Sequence, residues 1–158
     1  MVYEVFLSHS GADGDWANWI YHHAKTVGIS VYLFEHDAQP GVLLSDKIQQ
    51  AIERSKALVV LLTLNSQFST YVQQEIGFAE GKGKPIIPLV QSGTSEKSLA
   101  MLQGRDYIHF DLHNPDEALL RLLDYLQRLK EEADKDTLKG LMALGAIVFV
   151  AILASQAK

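Results

Sequence analysis

The chain has 158 residues, of which 47% are hydrophobic and 21% are charged, proportions typical of a soluble globular protein with one core. Its net charge is −5 and no basic stripe stands out, so we expect no binding to nucleic acid. The absence of cysteine excludes disulfides, thiolate metal sites and cysteine nucleophiles. None of the six histidines has metal-ligand spacing with acidic partners, so we expect no metal site. A strand begins at Val2 with no secretory signal before it, so we expect a cytoplasmic protein.

Strand-like and helix-like segments alternate along the chain. Apolar runs predict five strands, at residues 2–7, 29–34, 57–63, 85–90 and 107–112. Apolar residues at helical spacing predict helices after the first, second, third and fifth strands. The segment after the fourth strand is predicted to be a loop with a short helical turn. Two prolines in the fourth strand favour a position towards the edge of the sheet.

Five strand–helix units with nearly continuous apolar strands predict a mostly parallel sheet covered by helices on both faces. Such sheets bind ligands beyond the carboxyl ends of their strands, where the strand order reverses. We expect the first and third strands to be neighbours at that point. The segments that follow them are residues 8–13 and 65–75, which are therefore the candidate site.

Glu75 is the most informative residue of this candidate site. It follows the third strand on a predicted helix, with Tyr71 one helical turn earlier on the same face. The same face carries Val72, Ile76 and Ala79, so Glu75 borders an apolar stripe. A carboxylate at such an apolar position costs folding free energy unless it is paired with another group or serves a function. The alternative is a glutamate that only favours the dipole at the start of the helix.

The carboxyl-terminal tail contains fourteen apolar residues without a break, at positions 141–154. A helix that is apolar on all sides is either buried or in a membrane. With Gly140 it would span about 22 Å, less than a hydrocarbon core of about 30 Å. Three alternatives remain: a membrane anchor, a helix buried in a self-assembly interface, and packing on its own domain. We expect one domain at residues 1–135 and a hydrophobic tail helix at residues 136–158.

Several motifs together carry a resemblance to a known family. They are the opening strand and loop at residues 5–13, a loop region at 28–41, an Ile-x-x-Ala-Ile-x-x-Ser pattern at 48–55, the stretch 71–77, and the strand at 85–90. Their order and spacing extend from Val2 to about Leu129. Over this range the chain resembles a TIR (Toll/interleukin-1 receptor) domain of the prokaryotic type.

This resemblance implies a flavodoxin-like fold and one of two functions. Many TIR domains are interaction modules that assemble signalling complexes, which would make this chain a non-enzymatic adaptor. Others cleave NAD+ at the nicotinamide–ribose bond, and single-TIR proteins of the Thoeris antiphage type make ADP-ribose-derived signals, often cyclic. In the enzymatic case Glu75 is the catalytic residue and NAD+ is a substrate, with no cofactor. A nucleoside-processing relative with a similar sheet is a further alternative.

The resemblance also bears on the contacts of the substrate. Tyr71 stands where the family commonly has tryptophan; it still supplies an aromatic wall, although the product could differ. Ser8, His9 and Ser10 follow the first strand and either face ribose or phosphates or cap their loop. Phe34 either stacks on a base or nicotinamide or packs in the core.

Two further expectations concern the second helix and the loop before it. Ser45 either contacts the ligand or caps this helix, as does Asp46. The loop from Glu35 to Leu43, called the 35–43 loop below, resembles the BB loop through which TIR domains associate. The resemblance therefore implies a homo-oligomer with contacts through the 35–43 loop.

Overall fold

The computed structural model describes residues 3–156, with the side chains of residues 4–145. The described strands are β1 (Tyr3–Ser8), β2 (Val31–Tyr32), β3 (Ser55–Leu62), β4 (Ile86–Gln91) and β5 (Ile108–Phe110). The helices are α1 (Gly14–Thr26), α2 (Leu44–Arg54), α3 (Thr70–Gly81), α4 (Glu96–Leu99) and α5 (Pro115–Gln156). Short 3-10 turns cover Gly11–Asp13, Phe34–His36 and Ala100–Leu102.

The five strands form one parallel sheet with the order β2-β1-β3-β4-β5. This confirms the predicted fold class and the pairing of the first and third strands. The side chains of β3 are buried from Ala57 to Leu62, as expected for a strand covered on both faces. The chain leaves β1 towards β2 on one side and reaches β3 on the other, so the strand order reverses at β1. The carboxyl end of β1 is therefore where a ligand site is expected.

The fourth strand is not at the edge, contrary to the prediction. β4 pairs with β3 from Ile86 to Val90, and β5 lies on its other side. The β4–β5 pairing begins only at Leu89, so Pro88 precedes it. A strand interior to the sheet can therefore accommodate Pro88, because its neighbour β5 is too short to reach it.

The second strand is shorter than predicted because both of its ends are used by neighbouring turns. The N–H of Ile29 donates to the carbonyl of Ala24 at 3.0 Å and closes the end of α1. Gly28 allows this closure because its φ is +76°. At the other end, the N–H of His36 donates to the carbonyl of Leu33 at 3.1 Å, which begins a 3-10 turn.

The helices that flank the site begin differently. At α3 the hydroxyl of Ser69 accepts a hydrogen bond from the N–H of Val72, as an N-cap residue does. At α2 the N-cap residue is Leu43, whose side chain makes no capping bond. The predicted capping by Ser45 or Asp46 is therefore wrong, because both residues lie inside the first turn of α2.

The chain divides into two compact units, one ending at Leu123 and one beginning at Asp124. In the first unit, α5 buries Ala118, Leu119, Leu122 and Leu123. In the second unit, exposed apolar residues include Leu138, Leu141, Met142 and Leu144.

No helix in the part of the chain that the structure describes is long and apolar enough to cross a membrane. Most of the apolar tail, from residue 146 onwards, lies outside the described side chains. The three alternatives for the tail and the predicted boundary after residue 135 therefore stay predictions.

Candidate active site

Glu75 lies in the second turn of α3, on the face that packs against the sheet. Its neighbours on that face, Val72, Ile76 and Ala79, are fully buried, and Glu75 itself is 8% exposed. The hydroxyl of Ser8, the last residue of β1, donates a hydrogen bond to Oε2 of Glu75. The expected apolar surroundings of Glu75 are thus present, and its carboxylate is paired at the carboxyl end of β1.

Burial raises the pKa of Glu75 from the ordinary value of 4.5 to about 7. The hydrogen bond from Ser8 and the positive charge of His9 lower this pKa, while the negative charge of Glu35 raises it. Desolvation dominates because the buried carboxylate loses more hydration than these contacts replace. Near neutral pH the protonated and ionised forms of Glu75 are therefore both populated. A carboxyl group with such a pKa, lining a cavity, is a common feature of active sites.

His9 is held by hydrogen bonds at both ring nitrogens. Its Nδ1 donates to the carbonyl of Leu7 at 3.0 Å, and its Nε2 lies 2.6 Å from Oε1 of Glu35. The His9 ring is thus fixed next to Ser8 by a backbone carbonyl on one side and by the Glu35 carboxylate on the other.

Two cavities share Glu75 as a wall. The larger one, of about 350 Å³, lies between α2 and α3 and is lined by Leu44, Ser45, Ile48, Gln49, Ile52, Tyr71, Gln74, Glu75 and Phe78. The smaller one, of about 210 Å³, is lined by His9, Ser10, Gly11, Phe34, Leu44, Ile48, Ser69, Tyr71 and Glu75. Both are mainly apolar with a few polar groups, as small-molecule sites usually are.

A third cavity, of about 460 Å³, lies along β2 and is larger than either of these. Its walls include Tyr21, Lys25 and His36, but not Glu75. Volume alone would favour this cavity, whereas the perturbed carboxyl group favours the other two. We assign the candidate active site to the cavities beside Glu75, because the carboxyl group with the raised pKa lies there, at the point where the strand order reverses.

Five of the six predicted substrate-contacting residues line these cavities, and the sixth, Ser8, lines neither but donates to Glu75. Tyr71 is 66% exposed and lines both of them, one helical turn before Glu75. Phe34 is half-buried and packs on the core, yet it also lines the smaller cavity. Ser10 lines the smaller cavity, and the exposed Ser45 lines the larger one. Their contact with a substrate stays a prediction.

Sequence reasoning missed Asp13, which is 1% exposed at the start of α1. Its carboxylate accepts hydrogen bonds from Oγ1 of Thr63 at 2.7 Å, Oγ of Ser10 at 3.0 Å and Nδ2 of Asn65 at 3.3 Å. Asp13 thereby joins the loop after β1 to the loop after β3. The sequence does contain one indication of this contact, because polar residues are concentrated after the two strands that were expected to be neighbours.

Glu35 was expected in a loop contact between protomers, and its pairing with His9 was not anticipated.

Among the described residues, no group of three or more histidine, aspartate or glutamate side chains is arranged to hold a metal ion.

Comparison with known proteins identifies the family. A family model described as the TIR domain matches residues 5–123. No curated protein matches. Similar solved structures include the TIR domain of the Toll-related receptor TRR-2 from Hydra magnipapillata, at 18% identity and a TM-score of 0.66, covering 82% of this chain and 99% of that one. They also include the TIR domains of the activated Roq1 resistosome, at 19% identity and a TM-score of 0.53, covering 80% and 82%.

A metazoan TIR-STING receptor from C. gigas, solved in complex with 2′,3′-cGAMP, is similar at 23% identity with a TM-score of 0.61. That match covers 75% of this chain and 39% of the receptor. Because these identities are only 18–23%, the similar structures support the assignment of the fold alone. The family match extends over most of the chain and agrees with the all-parallel sheet, and the chain therefore belongs to the TIR domain family.

Proposed function

We propose that this chain cleaves NAD+ at the nicotinamide–ribose bond, with Glu75 as the catalytic carboxylate. The observation that carries the proposal is the buried Glu75, paired with Ser8 and lining two cavities at the reversal of strand order. TIR domains include enzymes with this activity, and the glutamate that they need is present here.

A single carboxylate is sufficient for this reaction. The C1′–N bond breaks, and its electron pair stays on the pyridinium nitrogen, so nicotinamide departs as a neutral molecule. No general acid is needed, unlike in ordinary glycoside hydrolysis with its two carboxyl groups. The remaining requirement is to stabilise the ribosyl cation, which the ionised Glu75 does well because it is shielded from water.

The surrounding residues have complementary roles in this proposal. Ser8 orients the Glu75 carboxylate, and its hydrogen bond favours the ionised form. Tyr71 and Phe34 supply aromatic surfaces for the nicotinamide and the base. Ser10 and Ser45 supply hydroxyl groups for the ribose and phosphates.

The product depends on which nucleophile attacks the ribosyl cation. Water gives ADP-ribose and a proton, whereas an atom of the adenosine half gives a cyclic product. We infer that the product is a nucleotide signal in prokaryotic defence of the Thoeris type, as the resemblance to single-TIR signal-making enzymes suggests.

The test is incubation of the purified full chain with NAD+, with nicotinamide and nucleotide products resolved by mass. Wild type should release nicotinamide, and Glu75→Gln should reduce the rate by about a hundredfold or more, because one preorganised electrostatic contact is lost. Glu80→Gln is the matched control, since Glu80 lies on the same helix and lines neither cavity. Equal rates for wild type and Glu75→Gln would place the chemistry elsewhere.

One further observation supports assembly as a second function. The end of the 35–43 loop exposes Val42 and Leu43, and Phe68 and Tyr71 are also exposed large apolar side chains. Exposed apolar surface of this kind favours contacts between proteins. If the wild-type chain never releases nicotinamide, even when concentrated, the result favours homotypic assembly as its function.

A further inference from the structure

Ser10 lies where the loop after β1 meets the smaller of the two cavities beside Glu75. It is half-buried and lines this cavity together with Glu75, and its hydroxyl donates a hydrogen bond to Oδ2 of Asp13 at 3.0 Å. A serine hydroxyl carries one hydrogen to donate and two lone pairs that accept. The direction of its bond to Asp13 therefore determines whether Ser10 offers a ligand a hydrogen or a lone pair.

The other partners of Asp13 fix that direction. Oδ2 of Asp13 also accepts from the hydroxyl of Thr63 at 2.7 Å, and Oδ1 accepts from Nδ2 of Asn65 at 3.3 Å. Thr63 is itself oriented, because its hydroxyl oxygen accepts from the N–H groups of Asn65 at 3.1 Å and Ser66 at 3.2 Å. Both carboxylate oxygens of Asp13 are thus acceptors, and the hydrogen of Ser10 is directed to Asp13.

The burial of Asp13 makes this arrangement costly to change. Asp13 is 1% exposed, and hydrogen bonds to a carboxylate are stronger than those between neutral groups. If Ser10 turned its hydrogen towards a ligand, a buried charge would lose one of its donors. Ser10 therefore faces the cavity with its lone pairs, and no other hydrogen bond among the described residues uses them.

An acceptor of this kind selects a ligand group that has a hydrogen to donate. The hydroxyl groups of ribose have such a hydrogen, whereas a diphosphate bridge has none and is repelled by the carboxylate of Asp13 behind Ser10. The position of Glu75 identifies the group further. Glu75 lines the same cavity and in the proposed reaction faces the ribosyl cation, so a ribose is the part of the substrate next to Ser10.

We propose that Ser10, held as a hydrogen-bond acceptor by Asp13, binds a hydroxyl group of the ribose that faces Glu75, while the diphosphate of the substrate lies outside the smaller cavity. This inference rests on the proposed function, which makes NAD+ the ligand. Ser10 is then a specificity-determining residue, and Asp13 is a positioning residue that acts through it.

The inference is testable with ADP-ribose and ADP as probes. Neither contains the nicotinamide–ribose bond, and ADP lacks the ribose beyond the diphosphate. Calorimetric titration of the full chain should show tighter binding of ADP-ribose than of ADP. Ser10→Ala should weaken ADP-ribose binding by about twofold to tenfold, through the loss of one hydrogen bond, and leave ADP binding unchanged.

Two further variants test the role of Asp13. Asp13→Asn should keep the preference for ADP-ribose over ADP, because its amide oxygen still accepts from Ser10. Asp13→Ala should lose that preference, because the hydrogen of Ser10 is then free to turn towards the cavity. A merely structural role for Asp13 would weaken both probes equally. If Asp13→Ala does not fold, the comparison of Ser10→Ala with wild type decides alone.

Ser92→Ala is the matched control, because the hydroxyl of Ser92 also bonds to a side chain, Nε2 of His109 at 2.8 Å, and Ser92 lines neither cavity. It should bind both probes as wild type does. Equal weakening of ADP and ADP-ribose in Ser10→Ala would place Ser10 at the phosphates or the adenosine half and overturn the inference. Unchanged binding of both probes in Ser10→Ala, or no preference for ADP-ribose in wild type, would also overturn it.

The binding measurement needs no turnover, so the two failures are distinguishable. If wild type releases nicotinamide from NAD+ but Ser10→Ala binds both probes normally, the proposed function stands and this inference fails. If the probes give the expected pattern but no nicotinamide is released, the ribose contact stands and the proposed function fails.

Discussion

The hydroxyl of Ser8 donates a hydrogen bond to the carboxylate of Glu75, which joins two residues that are 67 positions apart in the chain. The contact depends on the pairing of β1 with β3, because α3 follows β3 and returns its second turn to the end of β1. The topology of the sheet thus places a neutral donor against the one carboxyl group, among the described residues, whose pKa is strongly raised.

Ser8→Ala should shift the pH profile of NAD+ cleavage to higher pH and reduce the rate at neutral pH. The hydrogen bond from Ser8 lowers the pKa of Glu75, so its loss leaves a smaller ionised fraction. The measurement is the pH dependence of kcat/KM. Ser55→Ala is the control, because Ser55 is equally buried and its hydroxyl donates to the carbonyl of Ala51 rather than to the site. A shift of the same size in both variants would contradict a specific role for Ser8.

Glu75→Gln should stabilise the fold increasingly as the pH rises. The folded-state pKa of about 7 lies above the ordinary 4.5, so between these values the folded wild type binds more protons than the unfolded chain. Wild-type stability therefore declines across this window, whereas the amide variant lacks this decline. The advantage of the variant should grow from almost nothing at about pH 4.5 to about 3 kcal/mol above pH 7.

Urea unfolding of both proteins at several pH values between these limits measures this advantage. The Ser8 hydroxyl can still donate to the amide oxygen of the variant, so the comparison isolates the charge of Glu75. A difference in stability that does not depend on pH would show that Glu75 is not held in a desolvated state.

The sequence was sufficient to predict the parallel sheet and the place of Glu75, for a simple reason. Long apolar runs such as 57–63 are stable only when both faces of the strand are covered, and that requirement defines the fold class. A glutamate among Val72, Ile76 and Ala79 is similarly constrained, because helical periodicity fixes which residues share its face.

Other features depend on geometry that periodicity does not encode. The pairing of Glu35 with His9 follows from the path of an irregular loop, and local patterns do not determine that path. The strand that contains Pro88 was placed towards an edge because proline cannot donate to a sheet ladder, and the sequence pattern does not show that the β5 pairing begins only at Leu89. Asp13 was overlooked because its partners, Thr63 and Asn65, come from a loop fifty positions away.

Asp13→Ala should destabilise the fold by about 3 kcal/mol, since hydrogen bonds to a charged group contribute about 1.5–3 kcal/mol each and the donors around Asp13 would be left without their acceptor. Asp13→Asn should be less harmful, because its amide oxygen still accepts from Thr63 and Ser10. The measurement is urea unfolding, with Asp15→Asn as an exposed control in the first turn of α1. If Asp13→Ala is as stable as wild type, the hydrogen bonds around Asp13 have no structural role.

Removal of residues 140–158 should leave the first unit folded. The family match ends at residue 123, and among the described residues the core cluster around Phe6, Leu58 and Val72 includes none beyond Leu102. Solubility should rise, and membrane association or self-assembly should fall, because fourteen consecutive apolar residues are removed. Calorimetry and sedimentation of the shortened and full chains test this. Loss of cooperative unfolding would mean that the tail belongs to the core.

Activity per molecule should rise with protein concentration if the 35–43 loop contacts another protomer. Leu43 is 67% exposed and lines neither cavity, so Leu43→Asp should weaken association without altering the walls of the site. The matched control is Leu120→Asp on α5, where the leucine is 68% exposed. NAD+ cleavage and sedimentation are measured together over a wide range of concentrations.

Wild type and Leu120→Asp should show the same increase in specific activity as they associate, whereas Leu43→Asp should remain dissociated and weakly active. The reason is that a neighbouring protomer seated on the 35–43 loop would complete the site beside Glu75. Specific activity that stays constant from dilute monomer to assembled protein would contradict a role for the loop in activation. Association that survives in Leu43→Asp would instead place the contact on another surface of the domain.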